Sequence, residues 1–343
     1  MLRLLGLLFT VLAAIAAAIV TWPQFFRLER TFPIAQIVSL RPVVILACAA
    51  VLVLALLLCL ARPMRALAAS LAIIAVLAGG ANVAILMMRG VGPGSLPEPT
   101  DQSVRVMTWN TAGDGTDADL IAQTAVAMRA DIVALPETTI ETGEAVAIAM
   151  RDLGSPMWAH HENFGDREDF PDWASNSTTL LISPDLGDYS VVSSTTDGES
   201  NTSQVPTVVA MPVDGTGPVV VAVHAVAPRQ SAMGDWQSDL EWLADQCGSA
   251  NVIMAGDFNA TVDHMARLGT GGDLGNCRDA AVATGTGAVG TWSTEWPAVF
   301  GTPIDHVLST DAWIPTGSVV LTSLDDSGSD HRPLVVQLEP AAH

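Results

Sequence analysis

Residues 251–261 read N-V-I-M-A-G-D-F-N-A-T, and the rest of the chain is best interpreted outward from them. Four apolar residues lead into Gly256, a pattern that predicts a short strand buried on both faces. Gly256 would let the backbone turn at the strand end. Asp257 and Asn259 are two residues apart, so on extended backbone their side chains point the same way. Taken alone, the pattern fits a catalytic corner or an ordinary turn, because Asp and Asn also form turns.

The composition divides the chain into two parts of opposite charge. Residues 1–97 hold seven arginines and one acid, whereas residues 98–343 hold eight arginines and 35 acids, a formal charge of −27. The chain contains no lysine. Non-specific binding of nucleic acid depends on Lys and Arg displacing counterions. We therefore do not expect nucleic acid as a partner, whereas an acidic surface is compatible with a divalent metal.

Three apolar runs open the chain, at residues 4–20, 43–60 and 67–88, and none contains a charge. Each has about the length that a helix needs to cross ~30 Å of hydrocarbon. The first run alone would fit a cleaved signal peptide. Two further runs favour a multi-pass anchor over residues 1–89, in the cell membrane and with the lipid bilayer as partner. The aromatic residues at positions 22, 25 and 26 suit a membrane interface.

The orientation of this anchor is not decided by the positive-inside rule, since three arginines would lie on the N-terminal side and four on the other. The short charged hairpin at residues 62–65 and the acidity of the C-terminal part favour an extracytoplasmic C-terminal domain. Residues 90–100 are rich in Gly and Pro and indicate a linker. We expect one domain over residues 101–343.

Two of the four cysteines, Cys247 and Cys277, lie in the acidic part. They show neither C-x-x-C spacing nor a neighbouring His that would indicate zinc. If this part lies outside the cytosol, they could form a disulfide; otherwise they are two separate thiols.

Short apolar strands and amphipathic helices alternate over the C-terminal part. The predicted strands are residues 104–110, 131–136, 178–182, 205–213, 219–223, 251–255, 304–308 and 333–338, and the predicted helices are 117–129, 143–153 and 233–246. Residues 155–177 break the pattern and hold several aromatic residues. They predict either a substrate-facing or membrane-facing lip, or a surface insertion.

Polar side chains close or follow many of these strands. They are Asn110, Glu137, His224, Asp257, Asn259, Asp305, Asp330 and His331. Each has an ordinary structural explanation on its own. Together they predict a site at one edge of a sheet sandwich, where strand-end loops meet.

The ordered motifs W-N, P-E, H, G-D-F-N, I-D-H and S-D-H resemble those of the endonuclease/exonuclease/phosphatase (DNase I-like) superfamily, over residues 104–338. The resemblance implies an α/β (α+β) fold, a four-layered α/β sandwich with two packed mixed sheets. Here an all-α anchor of three transmembrane helices precedes it. With that anchor the chain resembles bacterial membrane proteins associated with teicoplanin resistance.

The resemblance also implies a Mg²⁺-dependent hydrolase, with Mn²⁺ as the alternative ion, that cleaves a phosphate ester or anhydride. The residue types agree, because a hard cation prefers carboxylate and amide oxygen. Glu137 is the first expected metal ligand, Asn110 lies beside it, and Asp330 is a ligand of second rank.

The remaining candidates have expected catalytic roles. Asp257 would orient or deprotonate the attacking water. Asn259 and His224 would stabilise charge on the phosphoryl oxygens. His331 would bind the phosphate or act as an acid, and Asp305 would hold its tautomer.

The substrate expected from the anchor and the charge is a phosphorylated lipid, such as a polyprenyl-type pyrophosphate, or another small envelope phosphate. Few arginines are available near the motifs; the candidates are Arg167, Arg229 and Arg332. The alternatives are a surface-tethered endonuclease, a phospholipid phosphodiesterase and a catalytically silent binding module.

Overall fold

The computed structural model describes residues 2–113, 115–165, 174–192, 194 and 200–342. The chain forms two compact units that divide after Met88. Residues 90–100 belong to the second unit, and some of them make hydrogen bonds there. Gly92 N donates to Gly285 O, and the Arg105 guanidinium donates to Pro97 O. A Cβ at Gly90 would lie 2.0 Å from the backbone of Gly285, so this position requires glycine.

The first unit is helical. Its helices are α1 (Leu2–Thr21), α2 (Pro23–Phe26), α3 (Ile34–Ser39), α4 (Arg41–Leu58) and α5 (Arg65–Arg89). Three segments are long and apolar enough to cross a membrane: Leu4–Thr21, Arg41–Leu58 and Arg62–Arg89. Most of their large apolar side chains are exposed, as expected for helices that face lipid. These helices indicate a membrane anchor.

A buried polar network joins the three long helices. Arg41 donates to Asn82 Oδ1, and Asn82 Nδ2 donates to the Thr21 hydroxyl over 3.2 Å. The three residues come from α4, α5 and α1 in turn. Hydrogen bonds of this kind fix how apolar helices associate in a medium that offers no other polar partner.

The second unit alternates strands and helices. Its strands are β1 (Val104–Thr108), β2 (Ile132–Pro136), β3 (Trp158–Asn163), β4 (Ser177–Ile182), β5 (Tyr189–Val191), β6 (Val208–Pro212), β7 (Val219–His224), β8 (Val252–Asp257), β9 (Leu268–Gly269), β10 (Leu274–Gly275), β11 (Arg278–Asp279), β12 (Asp305–Ser309), β13 (Trp313–Val320) and β14 (Leu334–Pro340). Its helices are α6 (Ala118–Met128), α7 (Ile140–Asp152), α8 (Met233–Gln246), α9 (Val262–Met265) and α10 (Ala280–Thr284).

Two six-stranded mixed sheets form the centre of this unit. Their strand orders are β13-β14-β1-β2-β4-β3 and β11-β12-β8-β7-β6-β5. Successive side chains of a strand point to opposite faces of the sheet, so they pack in different layers. Val106 and Ile132 lie in the core between the sheets, whereas Met107 and Val133 pack with residues of α6 and α7. This architecture confirms the predicted α/β sandwich preceded by apolar helices.

The sequence prediction missed the short elements β5, β9, β10, β11, α9 and α10, and two longer segments also depart from it. The stretch predicted as an irregular lip contains the edge strand β3, which pairs with β4; residues 166–173 lie outside the described residues. The prediction also missed β13, which contains Pro315 and Gly317. Both residues are tolerated there because β13 is an edge strand with a bulge between them.

The two cysteines of the acidic part form a disulfide. Cys247 follows α8, Cys277 precedes β11, and their Cα atoms lie 5.8 Å apart. Of the two alternatives left open by the sequence, the structure thus contains the cross-link.

Candidate active site

Three adjacent strands of the second sheet carry candidate residues to one point. Strand β8 ends at Asp257, which lies beside His224 of the parallel strand β7 and opposite Asp305 of the antiparallel strand β12. His224, Asp257 and Asp305 are each at least 97 % buried. Strand pairing therefore brings together residues that are up to 81 positions apart in the sequence.

Gly256 is required for a close approach between two strands, and not for the turn that the sequence suggested. The strand continues through it, with φ of +153°, and a Cβ there would lie 2.0 Å from Val223 O. Glycine is needed because β7 approaches the backbone at this point. The turn follows three residues later at Asn259, whose φ of +47° is tolerated by Asn better than by most residues.

Asp257 is fixed by amide donors on both carboxylate oxygens. Oδ1 accepts from Asn259 N over 2.8 Å, and Oδ2 accepts from Asn110 Nδ2 over 3.1 Å. The pKa of Asp257 is raised to about 7, because burial, with a smaller contribution from Asp305, outweighs the opposing effect of His331. The carboxylate therefore takes up a proton more readily than an exposed Asp.

His331 is oriented by one carboxylate and faces another. Its Nδ1 lies 2.8 Å from Asp305 Oδ2, and its Nε2 lies 3.8 Å from Asp257 Oδ2. Burial lowers the pKa of His331, but Asp305 and Asp257 outweigh burial and raise it to about 10. The ring is therefore an imidazolium at neutral pH and can donate a proton from Nε2.

Glu137 follows β2 with φ of +55° and remains 27 % exposed at its side chain. Its Oε1 accepts from Asn110 Nδ2 over 3.0 Å and lies 3.6 Å from His224 Nε2. Asn110 thus donates to both Glu137 and Asp257, while its Oδ1 accepts from Ala112 N. In this arrangement the amide nitrogen faces the carboxylates. Coordination through Asn110 would need the amide to rotate, and its role as a ligand stays a prediction.

Asp330 and His224 occupy different environments at this site. Asp330 is at the rim, 52 % exposed, with Oδ1 4.0 Å from His331 Nε2 and Oδ2 accepting from Trp292 Nε1 over 2.8 Å. Burial lowers the pKa of His224, so this imidazole is neutral. Its Nδ1 is buried with no hydrogen-bond partner in the described part of the chain.

The donor set fits a hard divalent cation. Asp257, Asp305 and His331 lie close enough to share a metal ion. His331 Nδ1 is already bonded to Asp305, however, and Glu137 is the more open carboxylate. Within the described ranges no arginine pairs with Glu137, Asp257 or Asp305, and the His331 imidazolium faces two of these three acids. A bound divalent cation would supply further positive charge.

Several supporting residues were not assigned a role from the sequence. The Ser329 hydroxyl donates to Asn110 O and accepts from His331 N, and Trp109 Nε1 donates to His331 O. The Thr291 hydroxyl accepts from Asp305 N. Ser329 and Trp109 are the first residues of the motifs S-D-H and W-N, so the sequence offered a signal for both. Thr291 belongs to none of the motifs.

The expectation that Arg332 serves the substrate is wrong. Its side chain is fully buried, donates to both oxygens of Asp325 over 2.7 and 2.8 Å, and donates to backbone carbonyls. A guanidinium satisfied in this way is a structural group. Arg229 is exposed, and Arg167 lies outside the described residues.

Comparison with known proteins agrees with this arrangement. The model of the Endonuclease/Exonuclease/phosphatase family matches residues 107–331. The chain belongs to this family. Enzymes of the family generally cleave phosphate ester or phosphodiester bonds, and they usually use a divalent metal. A search of curated protein sequences finds no match.

Solved structures share the fold at low sequence identity. An endonuclease/exonuclease/phosphatase from Beutenbergia cavernae has a TM-score of 0.53 and 18 % identity, over 70 % of this chain and 72 % of that one. A humanized D. rerio TDP2 has a TM-score of 0.52 and 15 % identity, and the match covers 70 % of this chain and 100 % of that one. D. rerio TDP2 complexed with a single-strand DNA product has a TM-score of 0.51 and 16 % identity. This match also covers 70 % of this chain and 100 % of that one. At these identities the likeness concerns the fold alone.

Proposed function

We propose that this family member is a membrane-anchored, Mg²⁺-dependent phosphohydrolase whose substrate is a lipid-linked, polyprenyl-type pyrophosphate or another envelope lipid phosphate. The observation that carries the proposed chemistry is the pair His331–Asp305 facing Asp257, with Glu137 beside them. It combines a proton donor, a proton acceptor and an open carboxylate within one small cluster.

Each residue has its own role in the proposed hydrolysis. Asp257 orients a water and accepts its proton as the oxygen attacks phosphorus, which suits a carboxylate whose pKa is raised to about 7. The bond from phosphorus to the leaving oxygen breaks, and His331 protonates that oxygen from Nε2. Asp305 keeps the imidazole in the required orientation. His224 and Asn259 lie next to Asp257 and stabilise charge on the phosphoryl oxygens.

Glu137 would hold the metal, with Asn110 and Asp330 as further ligands. When bound, Mg²⁺ neutralises charge on the phosphate and polarises its oxygens. Asn110 links this ligand set to the proton acceptor, because it donates to both Glu137 and Asp257.

Charge and anchoring support a lipid phosphate over a nucleic acid. Residues 98–343 carry a formal charge of −27, and buried Arg332 is unavailable to a polymer backbone. Three apolar helices restrict the enzyme to a surface and raise the effective concentration of a substrate held in the same bilayer. The Cys247–Cys277 disulfide supports an extracytoplasmic site, since disulfides persist in oxidising compartments.

A substrate panel with the full-length protein in lipid nanodiscs tests the proposal. Phosphate release from undecaprenyl pyrophosphate with Mg²⁺, absent in Glu137→Ala, is the expected result. Nicking of plasmid DNA without lipid turnover would favour the tethered endonuclease, and headgroup release from phospholipid would favour the phosphodiesterase. A folded protein that is inactive on all three substrates would leave the silent binding module.

A further inference from the structure

A cluster of exposed apolar side chains lies beside the candidate active site. Residues 292–301, W-S-T-E-W-P-A-V-F-G, form a segment that we call the aromatic loop. Within it Trp296 is 62 %, Val299 60 %, Trp292 40 % and Phe300 36 % exposed. Scattered apolar residues are ordinary on a surface, but four large exposed ones within nine positions are unusual and indicate a partner.

The aromatic loop is held firmly from beneath. The buried guanidinium of Arg332 donates to the carbonyls of Ser293 and Trp296 over 3.2 and 2.6 Å. Trp292 and Thr302 pair through both backbone amides, and Gly290 N donates to Ala298 O. The loop therefore presents its apolar side chains on a fixed backbone, at the cost of burying the charge of Arg332, which pairs with Asp325.

The loop adjoins both the reacting groups and the start of the catalytic unit. Trp292 Nε1 donates to Asp330, the residue before His331. Gly287 and Ala288 lie a few residues before the loop begins. Their backbone N–H groups donate to the carbonyls of Arg89 and Gly90. The Arg89 guanidinium also forms two 2.7 Å bonds to Asp263.

We propose that the aromatic loop inserts into the hydrocarbon edge of the bilayer and brings His331 to phosphates held on membrane lipids. Trp and Phe favour this boundary, where an apolar ring meets a wet surface. Glu295 is the single charge in the loop, so insertion involves little desolvation of charge. The membrane contact does not depend on the proposed function, whereas its effect on substrate choice rests on that function.

Membrane insertion is tested without reference to activity. A nitroxide is attached at Val299→Cys in full-length protein lacking Cys48 and Cys59, in phosphatidylcholine nanodiscs. The matched control is Val213→Cys, a valine of 66 % exposure that follows β6 at the sheet end opposite His224. We expect the label at position 299 to relax with oxygen and be shielded from a water-soluble nickel complex, and the label at position 213 to show the reverse. Equal nickel access at both positions would overturn the proposal.

The effect on substrate choice is tested with Trp296→Ser. Its control is Trp158→Ser, a tryptophan of 58 % exposure whose partner Ile182 lies at the far end of its sheet from Glu137. We expect Trp296→Ser to raise KM for a lipid phosphate in nanodiscs about tenfold or more, because burial of a large side chain is lost. Turnover of a water-soluble phosphate ester should stay within about twofold, and Trp158→Ser should change neither value.

The two experiments separate failure of this inference from failure of the proposed function. A shielded label in a protein that releases no phosphate from any lipid would retain the membrane contact and refute the lipid phosphatase. Lipid phosphate release that is equally fast in wild type and Trp296→Ser, with an exposed label, would retain the phosphatase and refute the loop's role.

Discussion

His331 Nδ1 lies 2.8 Å from Asp305 Oδ2, and the two residues are 26 positions apart in the sequence. The bond joins the segment before β14, in one sheet, to the first residue of β12, in the other. It commits one ring nitrogen and leaves Nε2 directed at Asp257. The candidate proton donor is thus positioned across the two sheets, and its orientation depends on their packing.

Asp305→Asn should abolish most turnover while leaving the fold intact. The amide keeps the shape of Asp305 but removes the charge that contributes most to raising the pKa of His331, so the pKa of His331 falls and less imidazolium is available. We expect kcat to fall by roughly 10²–10⁴-fold, the usual contribution of a positioned acid or base. Steady-state kinetics on the substrate found active in the panel check this, and a thermal melt verifies folding. Near wild-type kcat would exclude His331 as the donor.

Glu137→Gln should remove metal-dependent activity. The Gln carbonyl still accepts from Asn110, so the local hydrogen bond survives, while the carboxylate that would hold Mg²⁺ is gone. We expect at least a ~10³-fold loss of kcat/KM, as for other lost electrostatic stabilisers of the transition state. In wild type, a chelator should abolish activity and added Mg²⁺ restore it. Chelator-resistant turnover would rule out the metal mechanism.

Gly256→Ala should destabilise the catalytic unit. Its new Cβ would lie 2.0 Å from Val223 O, and a backbone oxygen cannot yield as a flexible side chain can. We expect a loss of about 3 kcal/mol or more, within the range of strongly disruptive core substitutions. The control is Gly234→Ala in α8, where nothing lies within 4 Å and alanine favours the helix. Thermal melts in detergent compare the two variants; equal melting temperatures would contradict the close-approach argument.

The order of motifs allowed the fold to be predicted, and the structure places the candidate residues at strand ends. Glu137, His224 and Asp257 close or follow strands, whereas Asp305 begins β12 and His331 precedes β14. Residues of β8 alternate between layers that are both buried, so the apolar run V-I-M-A was informative. Arg332 shows the limit of this reasoning. Its position after S-D-H suggested a substrate contact, yet it is buried beneath the aromatic loop, and sequence carries no direct signal of that burial.

Edge strands were predicted less well than central strands, again because the sequence carries no direct signal of tertiary context. Strand β13 reads W-I-P-T-G-S-V-V, and Pro and Gly argue against a central strand. Only the tertiary context, an edge with a bulge, makes the strand possible. The reason for Gly256 was missed in the same way, because the approach of β7 is a contact between distant segments.

His306 should make stability depend on pH. Both ring nitrogens face acceptors, Asp279 Oδ2 and Ala260 O, within a fully buried site. Burial lowers the pKa of His306, but Asp279 outweighs it and the net shift is upward. A raised folded-state pKa contributes stability that is complete below the unfolded value of about 6.5 and is lost as pH rises through the folded-state value.

The matching experiment compares wild type with His306→Gln. The glutamine is neutral at every pH, so the advantage of wild type in melting temperature should be largest near pH 6 and shrink as the pH rises above the unfolded-state pKa. Melts between pH 5.5 and 9 in the same detergent measure this difference. An advantage that grows toward alkaline pH would show that the folded state favours neutral His306.

Arg332→Lys should loosen the aromatic loop and destabilise the catalytic unit. Lysine carries the charge but cannot make the bidentate bond to Asp325 and the bonds to the Ser293 and Trp296 carbonyls at once. We expect a loss of about 1–3 kcal/mol, the usual effect of leaving a buried hydrogen-bonding group unsatisfied. Hydrogen exchange should also become faster in residues 292–301. Arg278→Lys is the control, because Arg278 is 60 % exposed and 3.5 Å from exposed Asp311, where ion pairs contribute little. Unchanged exchange in the loop of Arg332→Lys would mean that its backbone is held by the amide pairs of Trp292 and Thr302 alone.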